Sequence, residues 1–198
     1  MKSPKINNTE HQLHELLNSK VDDDNTYYQI ATLYNKIKKY KESERYYIMA
    51  IEKGNINAMN DIGNLYLKLK KYDKAEKYYK MAIEKDDNMA LYYLANLYLE
   101  IRKYDQAEKY YKMAIEKGNV SAMNNLGYLY KQLGRYDEAM EYYKMACIND
   151  RKNINYWKNI EDLKKETSTI IGGLYLDEST IMSLAIFPNS YNIAINMH

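Results

Sequence analysis

The sequence predicts an all-α solenoid, helical hairpins stacked one on the next, and three observations carry that expectation. A unit recurs with its leading tyrosines at Tyr40, Tyr72, Tyr104 and Tyr136, each 32 residues after the last. A fixed period between about 20 and 50 residues is the mark of a repeat array. The copies are close to letter-perfect: KKYDKAEKYYKMAIEK, RKYDQAEKYYKMAIEK and GRYDEAMEYYKMACIN, with a more diverged KKYKESERYYIMAIEK before them. Inside each unit, two segments place apolar residues three and four apart, the helical spacing, and none alternates as a strand would.

Taken in order, residues 1–23 read as an N-terminal capping helix and linker. The helix covers Asn8–Lys20 with Leu13, Leu16 and Leu17 turned inward. His11 and His14 lie beside Glu10 and Glu15, but His198 is the only other histidine, so a metal site lacks its remaining ligands and none is expected. Asp22, Asp23, Asp24 and Asn25 lack the glycine and distal glutamate of a calcium loop and read as a linker and helix cap.

Four repeats follow, at 24–55, 56–87, 88–119 and 120–151. In the second, the first helix carries Met59, Ile62, Gly63, Leu65, Tyr66 and Leu69, and the second helix carries Ala75, Tyr78, Tyr79, Ala82 and Ile83. Asp73 with Glu76, and Asp105 with Glu108, have the spacing of a capping box at the start of the second helix. Gly54 and Gly118 stand where that helix should end, where a left-handed residue is wanted. Residues 152–166 read as a C-terminal capping helix with Ile154, Trp157 and Leu163 inward. Residues 167–198 then change character: Asp177 and Glu178 are their only charged side chains, and an apolar run extends from Ile181 to Phe187. A docked strand-like tail, a disordered tail and an unrelated reading frame all fit that composition.

The run Leu126-Gly127, Tyr130, Tyr136-Asp137, Ala139, Tyr143 and Ala146 resembles the tetratricopeptide repeat signature. Small residues fall where paired helices approach: Ala31, Gly63, Ala95 and Gly127 on first helices, and Ser43, Ala75, Ala107 and Ala139 on second helices. The resemblance covers roughly residues 24–165 and implies a right-handed superhelical stack of antiparallel helix pairs that binds a partner's peptide along its concave face. The unit is two residues shorter than the usual tetratricopeptide repeat and lacks its terminal proline. The joint Ala-Ile-Glu-Lys-Gly-Asn-x-x-Ala-Met is similar instead to that of Sel1-like repeats. Arrays rich in Asn, Lys and Tyr resemble repeat proteins of AT-rich genomes, including those of large DNA viruses.

Composition narrows the function. The chain has 29 Lys and Arg against 27 Asp and Glu, a net charge of +2, which gives no basic footprint for nucleic acid or a membrane surface. No apolar run approaches the roughly 20 residues of a membrane span. A single cysteine, Cys147, and no visible secretory signal point to a reducing, cytoplasmic setting, the host's cytoplasm were the source viral. The 24 tyrosines beside one phenylalanine exceed any codon bias and reflect a copied template. No phosphate loop, activated nucleophile or carboxylate pair is present, so no enzyme activity, cofactor or small-molecule substrate is expected. What remains is a protein-interaction scaffold, with a self-associating structural module as the alternative.

The first helices carry a stripe that the apolar arc leaves open: Tyr28, Thr32 and Asn35, then Asn60, Asn64 and Leu67, then Tyr92, Asn96 and Leu99, then Asn124, Asn125, Tyr128 and Lys131. Gln29, Asp61 and Tyr93 flank it. Asparagine offers a donor and an acceptor to any peptide backbone, and tyrosine a rigid amphipathic surface. The stripe predicts a groove for a protein or peptide partner that is neutral rather than strongly acidic. The second helices show Lys74, Lys77, Lys80 and Lys85 interleaved with Glu76 and Glu84, a solvated convex face.

Overall fold

The structure, a computed structural model, describes residues 8–19 and 21–170. Among the described residues all regular structure is helical: α1 (Asn8–Asn18), α2 (Asp24–Lys36), α3 (Tyr40–Glu52), α4 (Ile56–Lys68), α5 (Tyr72–Ile83), α6 (Asn88–Glu100), α7 (Tyr104–Glu116), α8 (Val120–Gln132), α9 (Tyr136–Asn149) and α10 (Ile154–Ile170). The chain divides into two compact units, Met1–Ala122 and Met123–His198, and the division falls inside α8. In the first unit α2 packs on α3, α4 on α5 and α6 on α7, and each hairpin meets the next through α3·α4 and α5·α6. In the second, α9 packs on α10. The all-α stack of helical hairpins is the expected fold class.

The first helix of each pair begins on a side-chain cap that recurs with the period. Asp23 accepts from the Thr26 amide at 2.7 Å, and Asn55 from Ala58, Asp87 from Met89 and Asn119 from Ala122, each at 2.9 Å. The second helices begin differently. Lys39, Lys71, Lys103 and Arg135 stand at their N-caps and make no side-chain cap bond. This corrects the expected capping boxes: α5 and α7 have already begun at Tyr72 and Tyr104, so Asp73 and Asp105 lie inside the first turn. There a carboxylate favours the positive end of the helix dipole without capping it.

One residue in left-handed geometry closes each turn from α2 to α9. Within hairpins it is Lys38 (φ 61°), Lys70 (56°), Arg102 (58°) and Gly134 (72°); between hairpins it is Gly54 (100°), Asp86 (61°) and Gly118 (83°). The following amide then reaches back across the helix end, as Lys71 N does to Tyr66 O at 2.8 Å and Asn55 N to Ala50 O at 2.9 Å. This is the Schellman closure. Using it at both ends of the pair accounts for the short unit, since neither turn needs a longer loop.

The helices approach closely because Ala31, Ala75, Ala95, Ala107 and Ala139 are fully buried at the crossings. Buried Ser43 donates to Ala31 O at 2.9 Å, satisfying a hydroxyl no water can reach. Tyrosine fills the space beside them. Rings pair between the two helices of a hairpin at 5.5 Å for Tyr34 and Tyr46, 5.6 Å for Tyr66 and Tyr78, 5.5 Å for Tyr98 and Tyr110, and 5.4 Å for Tyr130 and Tyr142. The copied template therefore copies a packing unit, and the tyrosine excess is structural.

The end helices differ from expectation in detail. On α1, Leu13 is buried and Leu16 packs with it against Ile30 and Leu33, but Leu17 is 42% exposed. With α2 as its neighbour on one side, α1 buries a stripe too narrow for a third leucine. On α10, Ile154 is 79% exposed and the buried face is Tyr156, Ile160 and Leu163. The helix also continues to Ile170, past the expected end at 166, and Thr167 bonds back to Leu163 O at 3.0 Å. From residue 171 the low-charge tail lies outside the described residues.

Candidate functional site

In the first unit the open stripe of α2, α4 and α6 is built on hydrogen bonds that tie tyrosines to it. Tyr79 on α5 is wholly buried, and its ring runs so close beneath α4 that a Cβ on Gly63 would stand 2.5 Å from it. Its hydroxyl must find an acceptor there. Asn64, the next residue, supplies it: Tyr79 donates to Asn64 Oδ1 at 2.7 Å. Tyr111, also wholly buried, donates to Asn96 Oδ1 at 2.6 Å in the following hairpin. In the first hairpin the Tyr47 hydroxyl lies near Thr32, Asn35 and Ser43. Burial pushes the Tyr47 and Tyr79 hydroxyls up, so both stay protonated donors.

The other stripe residues differ in availability. Tyr28, half-buried, donates to Asp61 Oδ2 at 2.8 Å, joining α2 to α4. Thr32 spends its hydroxyl proton on Tyr28 O at 2.9 Å within its own helix. Asn60, read as a surface group, is 6% exposed: its amide nitrogen donates to the Asp87 carboxylate, and its Oδ1 is buried without a partner. It belongs to the joint between hairpins, because the capping loop before α6 closes over it. Tyr92 is half-buried and packs in tilted geometry against Tyr93 at 5.6 Å and Tyr111 at 6.4 Å. A cavity of about 400 Å³ opens beside this stripe, lined by Gln12, Glu15 and Leu16 of α1 and by Tyr28, Gln29, Thr32, Leu33 and Lys36 of α2.

In the second unit Asn124 accepts from Asn159 Nδ2 at 2.7 Å and donates to Asn125 Oδ1 at 3.4 Å, which ties both to α10. Tyr128 is 46% exposed.

The second-helix face is solvated, as expected, and laced with pairs. Lys80 meets Glu76 at 2.6 Å and Lys112 meets Glu108 at 2.7 Å. Glu76 also accepts from Tyr98 at 2.9 Å, and Glu44 from Tyr66 at 2.7 Å. Burial pushes the Glu76 carboxyl up, but the bonds from Lys80 and Tyr98 outweigh it and hold it below the usual range. Cys147 is 1% exposed, and burial raises its thiol to about 12, which makes it a small hydrophobe rather than a nucleophile. Among the described residues no helix is long and apolar enough to cross a membrane.

The stripe residues were legible, but their partners Tyr79 and Tyr111 were not. The available signal was a tyrosine fifteen residues after each asparagine, one that the helical period buries and that therefore needs an acceptor.

Comparison with curated protein sequences gives no match. Among solved structures, the chain is similar to MamA (TM-score 0.60, 18% identity, covering 76% of this chain and 99% of that one). It is also similar to YrrB, described as a TPR protein with an unusual peptide-binding site (TM-score 0.55, 17% identity, 91% of each chain). The APC/C hetero-tetramer Cut9-Hcn1 matches with TM-score 0.63 and 14% identity, over 92% of this chain and 40% of that one. At these identities the likeness shows the fold. Family models described as tetratricopeptide repeat match residues 24–52, 56–89 and 92–154, together more than half of the chain. The Sel1-like character of the joints rests on sequence resemblance alone. With its period, its hairpins and these matches in agreement, the chain belongs to the tetratricopeptide repeat family.

Proposed function

We propose that the chain is a non-catalytic protein-interaction scaffold that binds a peptide segment of a partner along the Asn- and Tyr-bearing stripe of its first helices. The observation that carries this reading is the Tyr79–Asn64 bond. A half-buried asparagine whose carbonyl oxygen is already taken is held in one orientation and has its NH₂ left to offer. A fixed NH₂ suits the carbonyl of an extended or helical peptide, whatever its side chains. Asn96 repeats the acceptor geometry in the next hairpin, and Tyr28 and Tyr92 add half-buried aromatic surface. On α2, α4 and α6 the stripe carries no lysine or arginine to clamp a carboxylate, and Lys131 on α8 is paired with Glu166, so the segment is not an acidic one. YrrB, similar in fold and described as having a peptide-binding site, supports the general reading without locating the site. A cytoplasmic setting follows from the same proposal, with Cys147 buried and reduced.

The test must separate binding from folding, because Asn64 does both. Asn64→Asp keeps an acceptor for the Tyr79 hydroxyl and removes both donors. A random peptide library is selected on the full chain, and the enriched peptides are titrated calorimetrically. Each lost hydrogen bond is worth about 0.5–1.5 kcal/mol, so Asn64→Asp should weaken binding by about two- to twelvefold with its melting curve nearly unchanged. Lys77→Ala with Lys109→Ala, on the opposite face, should leave affinity unaltered. The groove reading fails if the lysine pair abolishes binding while Asn64→Asp does not.

A further inference from the structure

Asp61 is the carboxylate that flanks the stripe, and among the described residues no cation neutralises it. It is half-buried on α4, and among the described residues its bond is the one it accepts from Tyr28 at 2.8 Å. Half-buried glutamates of the second helices are paired with cations, Glu44 with Lys74, Glu76 with Lys80 and Glu108 with Lys112, while the half-buried Asp23, Asp24 and Asp87 serve helix caps and joints. Among the described residues no lysine or arginine pairs with Asp61.

Its surroundings are aromatic. Tyr28 packs on Tyr47 with ring centroids 6.2 Å apart, and Tyr79 stacks on Tyr93 at 5.9 Å. Tyr28 donates to Asp61 and Tyr79 donates to Asn64, one turn further along α4, so both ring pairs lie on the same stretch of that helix. The charge of Asp61 adds to burial in pushing the four hydroxyls up. Tyr47 and Tyr79 are buried, whereas Tyr28 and Tyr93 are half-exposed, so the group has a floor and an open side.

The tyrosines of the other face make a contrast. Lys74 stands 4.9 Å over the Tyr66 ring, Lys103 5.9 Å over Tyr98, and Lys109 5.9 Å over Tyr110. There the chain supplies its own cation to each ring. Among the described residues, none stands over Tyr28, Tyr47, Tyr79 or Tyr93. A carboxylate beside aromatic rings attracts a cation through its charge and through the ring quadrupoles together.

We propose that Asp61, Tyr28 and Tyr93, over the floor of Tyr47 and Tyr79, form a binding site for one cationic side chain, a lysine or arginine, of the bound segment. This rests on the groove reading and sharpens it: the partner segment is neutral except for one basic residue, which fixes its register against the hairpins. The position is unique to the second repeat, since its equivalents in the other three repeats are Gln29, Tyr93 and Asn125.

Asp61→Asn tests this without disturbing the fold, because asparagine still accepts the Tyr28 hydroxyl. A random peptide library is selected in parallel on the full chain and on Asp61→Asn, and each enriched peptide is resynthesised with norleucine in place of its basic residue. The site predicts enrichment of one Lys or Arg at a constant position. It predicts about tenfold weaker binding on Asp61→Asn and on norleucine exchange, with no further loss when the two are combined. Peptides that carry no basic residue, or that bind Asp61→Asn as tightly, overturn the cation site and leave the groove reading standing. If nothing is enriched, the groove reading falls, and N-acetyl-lysine N-methylamide becomes the probe by nuclear magnetic resonance. Shifts at Tyr28 and Tyr93 that the norleucine amide does not produce then keep the cation site, and their absence removes it.

Discussion

Buried hydroxyls in this chain find their acceptors at constant offsets. Tyr66 and Tyr98 reach Glu44 and Glu76, each 22 residues back, and Tyr79 and Tyr111 reach Asn64 and Asn96, each 15 back. A buried tyrosine stripped of its acceptor bears the desolvation cost of its hydroxyl, about 1–3 kcal/mol. Asn64→Ala should therefore lower stability by about that amount, although the sequence alone shows it as a replaceable surface residue. Adding Tyr79→Phe removes the stranded hydroxyl, and the double variant should recover most of the loss. Urea unfolding of both single variants and the double gives the coupling. A coupling near zero would mean that the Tyr79–Asn64 bond contributes nothing. At this scale Asn64 and Asn96 were legible because helical spacing leaves them off the apolar arc. Asn60 shares that spacing, yet it is buried by Asp87, a loop residue whose approach depends on how the next hairpin docks.

At the level of the helices, the turns hold most of what the sequence concealed. Gly54 and Gly118 announce left-handed joints because glycine adopts that geometry freely. Lys38, Lys70 and Arg102 adopt it too, with nothing in their identity to signal it, because the Schellman closure imposes it on whichever residue follows the helix. The misread capping box has a related cause. Asp-x-x-Glu is a sound pattern, but whether the aspartate stands before the helix or inside it depends on where the preceding turn lets the helix begin. These turns give opposite predictions. A Cβ on Gly118 would meet nothing within 4 Å, so Gly118→Ala introduces left-handed strain alone and should cost about 1–2 kcal/mol. Arg102→Gly relieves the same strain, less the roughly 0.5–1 kcal/mol that glycine adds to the unfolded chain's entropy, so it should stabilise by up to about 1 kcal/mol. Thermal melts of the two variants should move in opposite directions. A gain from Gly118→Ala would show that the joint is not left-handed.

For the molecule as a whole, building a core from tyrosine makes its stability depend on protons at alkaline pH. Tyr47, Tyr66, Tyr79, Tyr98, Tyr111, Tyr130 and Tyr143 are all buried. Burial, before any neighbouring charge, raises the Tyr98 and Tyr143 hydroxyls from 10.0 to about 12, and raises Tyr47, Tyr78 and Tyr93 in the same direction. The Cys147 thiol moves from 9.0 to about 12 for the same reason. Below the unfolded values both states hold these protons, and the groups contribute their full stability. As pH rises past them, the unfolded chain releases protons that the folded chain keeps. The unfolded state then binds fewer protons, so stability falls with pH, steadily up to the folded values near 12. A phenylalanine core would show no such slope. The melting temperature should therefore be nearly flat from neutral pH to about 9 and drop steeply above about 10, where unfolded tyrosine ionises. Tyrosinate absorbance and helical circular dichroism, followed together in one alkaline titration, give the check. A fraction of the 24 tyrosines should ionise only as helical signal is lost, in a single cooperative step. Should every tyrosine ionise near pH 10 with the helices intact, these rings would have to be open to water, and the packing of Tyr79 and Tyr111 beneath the stripe would be wrong.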